Sequence, residues 1–270
     1  MVCTLKKLHF KLRAFSPQMK PFEGHLNGED QDSLRRAVGR FKDICESARQ
    51  KGVRILVDAE CTYLNEGLSA LTLGAVAAFN SHAPVVWNTY QCYLKAADHR
   101  VRSEMGLIVK QLGAHFGAKM VRGAYMLQER QRALQLGLPS PVCDDYSATC
   151  INYDKIVSFL LDKTGELGPR CQFIAATHNE HSIHLVIQKA INQVMLDAKR
   201  LGHHAQSIHL QISCQDGQIQ KFHNKIEPHC VETAFDVEFV RRNTVSISEE
   251  PSRKKKNTCK HSFVVAKCLG

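Results

Sequence analysis

Acidic residues are missing from both ends of this 270-residue chain. None occurs in residues 251–270, where Arg253, Lys254, Lys255, Lys256, Lys260 and Lys267 supply six of the ten net positive charges. None precedes Glu23, whereas Lys6, Lys7, Lys11, Arg13 and Lys20 do. The excess charge is therefore local, and the body between the ends is close to balance. No recognition motif or aromatic platform accompanies the basic runs, so no nucleic-acid partner is expected, and the stretch after Pro251 reads as a solvated end. Apolar runs stay well below the ~20 residues of a membrane helix, which excludes a helical span and leaves peripheral membrane contact open. Cysteine is plentiful at 11, yet no CxxC pair occurs and no signal peptide is recognisable, so a reducing compartment is expected. No GxGxxG follows any apolar run, which removes the signature of a dinucleotide-binding Rossmann domain.

What is present is a hydrophobic content of 44%, enough for one large core or two small ones, and a repeated alternation of short apolar runs with longer helical stretches. Four runs read as buried parallel strands: VRILVDAE (53–60), PVVWNTYQ (84–91), AKMVRGAY (118–125) and CQFIAATHN (171–179). Residues 66–79, 93–115, 145–163 and 180–200 read as helices between and after them. Successive strand starts lie 31, 34 and 53 residues apart, the spacing of βα units and not of hairpins. Each run turns polar only at its C-terminal end, which would gather Asp58 and Glu60, Asn88 and Gln91, Arg122 and Tyr125, and His178 and Asn179 at one rim. Barrel enzymes collect their chemistry in this way, so the expected fold is an α/β, (β/α)8 TIM-type barrel.

The segments DAECTY (58–63), NTYQCYLK (88–95), KMVRGAYMLQER (119–130) and ATHNEHS (176–182) resemble, in order, the signatures of the proline dehydrogenase family, which includes the hydroxyproline dehydrogenases. FKLRAFSP (10–17) resembles that family's earlier barrel strand, whose active-site lysine would be Lys11. On this reading the basic N-terminus is a strand and not a mitochondrial presequence, and a targeting segment is missing. The resemblance implies strands 2 to 6 of a barrel holding FAD noncovalently, oxidation of proline or 4-hydroxyproline by hydride transfer, a quinone acceptor and a mitochondrial location. It places Lys11 and Asp58 around the substrate and Tyr125 against its ring. Asn88, Lys119, Val121, Gly123, Ala124, Thr177, His178 and Asn179 would line the flavin.

Beyond about residue 190 the match weakens. KRLGHHAQSIHLQI (199–212) reads as a degraded seventh strand, so the barrel is expected to be incomplete, with residues 1–212 forming it and 213–270 a divergent basic tail. The family's final helix carries adjacent arginines for the substrate carboxylate. Here Arg241 and Arg242 stand beside a β-branched run that argues against a helix, and the pair reads as coincidence. Three other readings stand beside the enzyme. His178, His181 and His184 would be spread by about 240° around a helix, poor geometry for one metal ion. A Schiff-base aldolase using Lys119 leaves KMVRGAY unexplained. An inactive flavin-binding relative or truncated form, acting as a binding or regulatory protein, is the serious rival.

Overall fold

A computed structural model of the chain describes residues 27–201, 208–214, 235–241 and 263–266. Seven parallel strands form one sheet: β1 Arg54–Val57, β2 Val86–Gln91, β3 Phe116–Val121, β4 Cys171–Ala176, β5 Ile208–Cys214, β6 Phe235–Arg241 and β7 Phe263–Ala266. Their spatial order is β6-β5-β4-β3-β2-β1-β7, so β1 to β6 are laid down in sequence and β7 returns to the free edge of β1. Six α-helices among the described residues accompany them: α1 Gly28–Lys51, α2 Thr62–Phe79, α3 Ala97–Gly106, α4 Met126–Gln135, α5 Tyr146–Leu167 and α6 Glu180–Leu201. The result is a TIM-type α/β barrel, incomplete among the described residues, where no pairing joins β6 to β7.

The four apolar runs all become strands; β1, β3 and β4 end just before Asp58, Arg122 and Thr177, which stand in the loops beyond, whereas β2 carries Asn88 and Gln91 within it. The interval 93–115 is only partly helical. Asn152 Nδ2 donates to the carbonyls of Cys92 and Leu94 at 2.8 and 3.0 Å, and the Lys95 amide donates to Pro141 O at 2.9 Å, holding 92–96 as a loop ahead of α3. A π-helical turn, Leu107–Gln111, finishes that segment. Two helices go beyond the sequence reading. α1 starts at Asn27, whose side chain accepts from the Asp30 amide at 2.8 Å, and stops at Gly52, whose φ of 64° suits a residue without a Cβ. α4 begins inside the KMVRGAYMLQER motif at Met126 and runs past its end to Gln135. The expected strand over 10–17, and Lys11 with it, lies outside the described residues.

Period-two alternation separates the two faces of the sheet. Ile55, Val57, Val86, Tyr90, Phe116, Ala118, Met120, Phe173 and Ala175 point to the helices and form the main core with Tyr153, Ile156 and Leu160 of α5 and Ile183 and Val186 of α6. Leu56, Trp87 and Ile174 form a separate cluster on the opposite, inner face. Trp87 is the floor of that face. Its indole donates to Pro84 O at 2.6 Å and lies on Gly117, where a Cβ would stand 2.7 Å from the ring. Further along the strands the same face turns polar.

Candidate active site

Above this floor, the inner-face residues Asp58, Thr89, Gln91, Lys119, Val121 and Ala176 open into a cavity of about 690 Å³ at the C-terminal ends of the strands. The loop after β3 adds Arg122, Gly123, Ala124 and Tyr125, and the loop after β4 adds Thr177, His178 and Asn179. Tyr146, the first residue of α5, closes one side.

Asp58 and Lys119 come from strands two apart and meet across β2, with Nζ 2.7 Å from Oδ1. The Thr89 hydroxyl donates to the same oxygen at 3.4 Å. Both charged side chains are about a fifth exposed, at 19% and 23%, so the pair is partly withdrawn from water while still facing the cavity. Gln91 is fixed on every side: Oε1 accepts from Asn65 Nδ2 at 2.7 Å, and Nε2 donates to Tyr93 Oη at 2.6 Å and to the Glu60 carbonyl. The Tyr125 amide also donates to Tyr93 Oη, at 3.2 Å, tying the loop after β3 to β2. Burial pushes the Tyr93 phenol up, and burial together with the Glu60 and Asp58 carboxylates does the same to Tyr125.

The β4 loop is ordered by its own polar residues. Thr177 is buried, and its Oγ1 accepts from the Asn179 amide at 3.1 Å. Asn179 accepts from the Ser182 amide at 2.9 Å, the geometry of a helix cap for α6, and its Nδ2 donates to Tyr146 Oη at 2.8 Å. At Gly123 the backbone is exposed to the cavity, and an added Cβ would meet only Met126 Sδ, at 3.3 Å.

Of the residues expected around substrate and flavin, this cavity brings together Asp58, Tyr125, Lys119, Val121, Gly123, Ala124, Thr177, His178 and Asn179. Asn88 is a correction. It shares parity with Val86 and Tyr90, so it points away from this cavity into the helical layer, donating to Ser69 Oγ at 3.0 Å and lining a smaller space of about 210 Å³. The resemblance placed it at the flavin, whereas its strand parity turns it to the helical layer. Thr89 and Gln91, on the other parity, stand where Asn88 was expected. Tyr146 reaches the site from the start of α5, which Asp145 caps, and no local pattern marks it as a cavity residue.

The family model described as proline dehydrogenase matches residues 4–242. The chain belongs to the proline dehydrogenase family. Hydroxyproline dehydrogenase of Xenopus laevis is 36% identical over 202 residues, 70% of this chain and 43% of that protein. The mitochondrial proline dehydrogenase 1 of Homo sapiens is 34% identical over 172 residues, 64% of this chain and 28% of that protein. The chain thus spans less than half the length of these curated relatives. Among solved structures, proline utilization A from Bdellovibrio bacteriovorus, inactivated by N-propargylglycine, superimposes with a TM-score of 0.61 at 18% identity, covering 78% of this chain and 20% of that one. A proline utilization A mutant from Bradyrhizobium japonicum gives 0.59 at 20% identity, covering 76% and 19%. These likenesses establish the barrel fold of the family in this chain.

Proposed function

We propose that the cavity is the flavin and substrate site of an FAD-dependent oxidoreductase acting on L-proline or 4-hydroxyproline, and that the electrons pass on to a quinone in the mitochondrion. The observation that carries this reading is the convergence of Asp58, Lys119, Tyr125 and the Thr177–Asn179 loop on one cavity in a chain of this family.

The residues present fit a flavin. The cavity volume of about 690 Å³ falls in the range of small-molecule sites, the backbone at Gly123 and Ala124 is open to close approach, and Lys119 offers a cation. Bound FAD would supply the two-electron acceptor for oxidation of the substrate ring. Lys119, Val121, Gly123, Ala124, Thr177, His178 and Asn179 would hold it. Asp58 uses Oδ1 for Lys119 and Thr89, leaving Oδ2 for the N–H protons of the substrate. Tyr125, with its amide anchored on Tyr93, gives the substrate ring an apolar surface and excludes water from it. Lys11 belongs to the same proposal as a second cation at the substrate. The barrel end expected at residue 212 falls inside β5, and β6 and β7 lie beyond it in the same sheet.

The unjoined edges of the described sheet favour one second reading, a flavin-binding relative without turnover. A visible spectrum of the purified chain, followed by anaerobic addition of L-proline, separates the two. Flavin bands that bleach support the dehydrogenase, bands that persist support the inactive relative, and a folded chain without bands after FAD is supplied rejects both.

A further inference from the structure

Tyr93 stands two residues beyond β2 and does not line the cavity. Its side chain is wholly buried, at 0% exposed, yet it ends in a hydroxyl. Both hydrogen bonds at that oxygen are received, from Gln91 Nε2 at 2.6 Å and from the Tyr125 amide at 3.2 Å. The oxygen works as an acceptor, so a phenyl ring of the same shape would fill the space and leave two N–H donors short of a partner.

The backbone around Tyr93 is pinned, which holds the hydroxyl at one point. Asn152 Nδ2 donates to the carbonyls on either side of it, those of Cys92 and Leu94, and the Cys143 amide donates to Tyr93 O at 2.8 Å. Gln91 is clamped as well, because its Oε1 accepts from Asn65, whose own Oδ1 accepts from the Glu60 amide at 3.1 Å. What this fixed oxygen holds is the far end of the loop after β3. Two amides of that loop donate to other parts of the barrel, Arg122 to Ala176 O and Tyr125 to Tyr93 Oη, both at 3.2 Å. α4 begins at the next residue, so the bond to Tyr93 sets the point from which the Tyr125 ring projects.

We propose that Tyr93 is a positioning residue for substrate binding, which touches no ligand and acts by holding Tyr125 where its ring meets the substrate. The inference rests on the reading of the cavity as a substrate site with Tyr125 against the ring, where a small displacement of the surface costs binding. The test uses the full chain loaded with FAD, as wild type, Tyr93→Phe, Tyr125→Ala and the double variant. Flavin bleaching by L-proline is followed anaerobically over a range of concentrations, which separates half-saturation from the limiting rate. Tyr93→Phe is expected to raise the half-saturating proline concentration about three- to tenfold, with the limiting rate nearly unchanged and FAD retained. In the Tyr125→Ala background the same change should do nothing further, because the ring that it acts through is gone. An equal factor in both backgrounds, a loss confined to the limiting rate, or release of FAD overturns the inference. Should L-proline not bleach the wild type, the reading of the cavity has failed separately, and amide hydrogen exchange decides. Tyr93→Phe is then expected to speed exchange over residues 122–128 by about tenfold while α5 keeps its protection, and unchanged exchange there overturns the inference. Where Tyr93→Phe does not fold, para-fluorophenylalanine at position 93, which fills the same space and accepts hydrogen bonds weakly, carries the same comparisons with the same outcomes.

Discussion

Asp58 and Lys119 are 61 positions apart in sequence and share one hydrogen bond in the cavity. Replacing Asp58 by Ala leaves that lysine without its carboxylate and removes the acceptor assigned to the substrate nitrogen. The rate of flavin bleaching by L-proline is expected to fall about 100-fold or more, the usual scale of a lost proton-handling group, and a fall of only two- or three-fold would dismiss that role. Tyr125 acts differently. Its side chain contributes surface, so Tyr125→Ala should raise the KM for proline while the chain keeps its FAD; release of the flavin would move Tyr125 from the substrate to the cofactor. At this scale the sequence is informative where polar residues end apolar runs, which is why Asp58, Tyr125 and His178 are found from it. It misleads at Asn88, because a strand end carries residues of both parities and only pairing with Lys119 and Asp58 reveals which of them face inward. Tyr146 is invisible by any local rule.

Elements here are secured by contacts between units distant in the chain. The N-terminus of α2 has no side-chain cap of its own at Cys61; Glu129 of α4 supplies it instead, accepting from the Thr62 amide at 2.6 Å and the Thr62 hydroxyl at 2.7 Å. Glu129 is 3% exposed, so the helix end compensates a carboxylate that water does not reach. Glu129→Ala should lower stability by about 1.5–3 kcal/mol, read from urea unfolding, whereas a surface carboxylate would give a change near zero. Between β2 and β3 the limiting contact is steric. Gly117→Ala sets a methyl against the Trp87 indole, and the strands must part or the ring must turn, an overpacking of roughly 1–3 kcal/mol that the same unfolding experiment measures. β1 to β4 and α2, α5 and α6 are readable from apolar periodicity, whereas β6 and β7 fall in the stretch read as a divergent tail. α1 is not, since Cys45 and Ala48 are the buried positions among its described side chains, and the loop at 92–96 is fixed by Asn152 and Pro141, far from it in sequence.

For the molecule as a whole, buried acids of the neutral kind set the response to alkali. Burial pushes the thiols of Cys45 and Cys171 up to about 11 and about 12, and lifts Cys92, Tyr90 and Tyr153 further. In the unfolded chain a thiol ionises near 9, whereas in the fold it stays neutral. That contribution to stability is complete below pH 9 and is lost as the pH climbs through 11 and 12, so Tm should fall steadily from pH 9 upward. A flat Tm to pH 11 would show that these groups ionise without opening the core. The strand order has a consequence in time. β1 is the first described strand of the sheet and its outer partner, β7, is the last, paired Arg54 to Phe263 through Val57 to Ala266. A ribosome adding ~5–20 residues per second reaches the second of these roughly 10–40 s after the first. Throughout that interval the outer edge of β1 lacks this native partner while its neighbours are being made, a window in which chaperone attendance matters more than the stability of the finished fold.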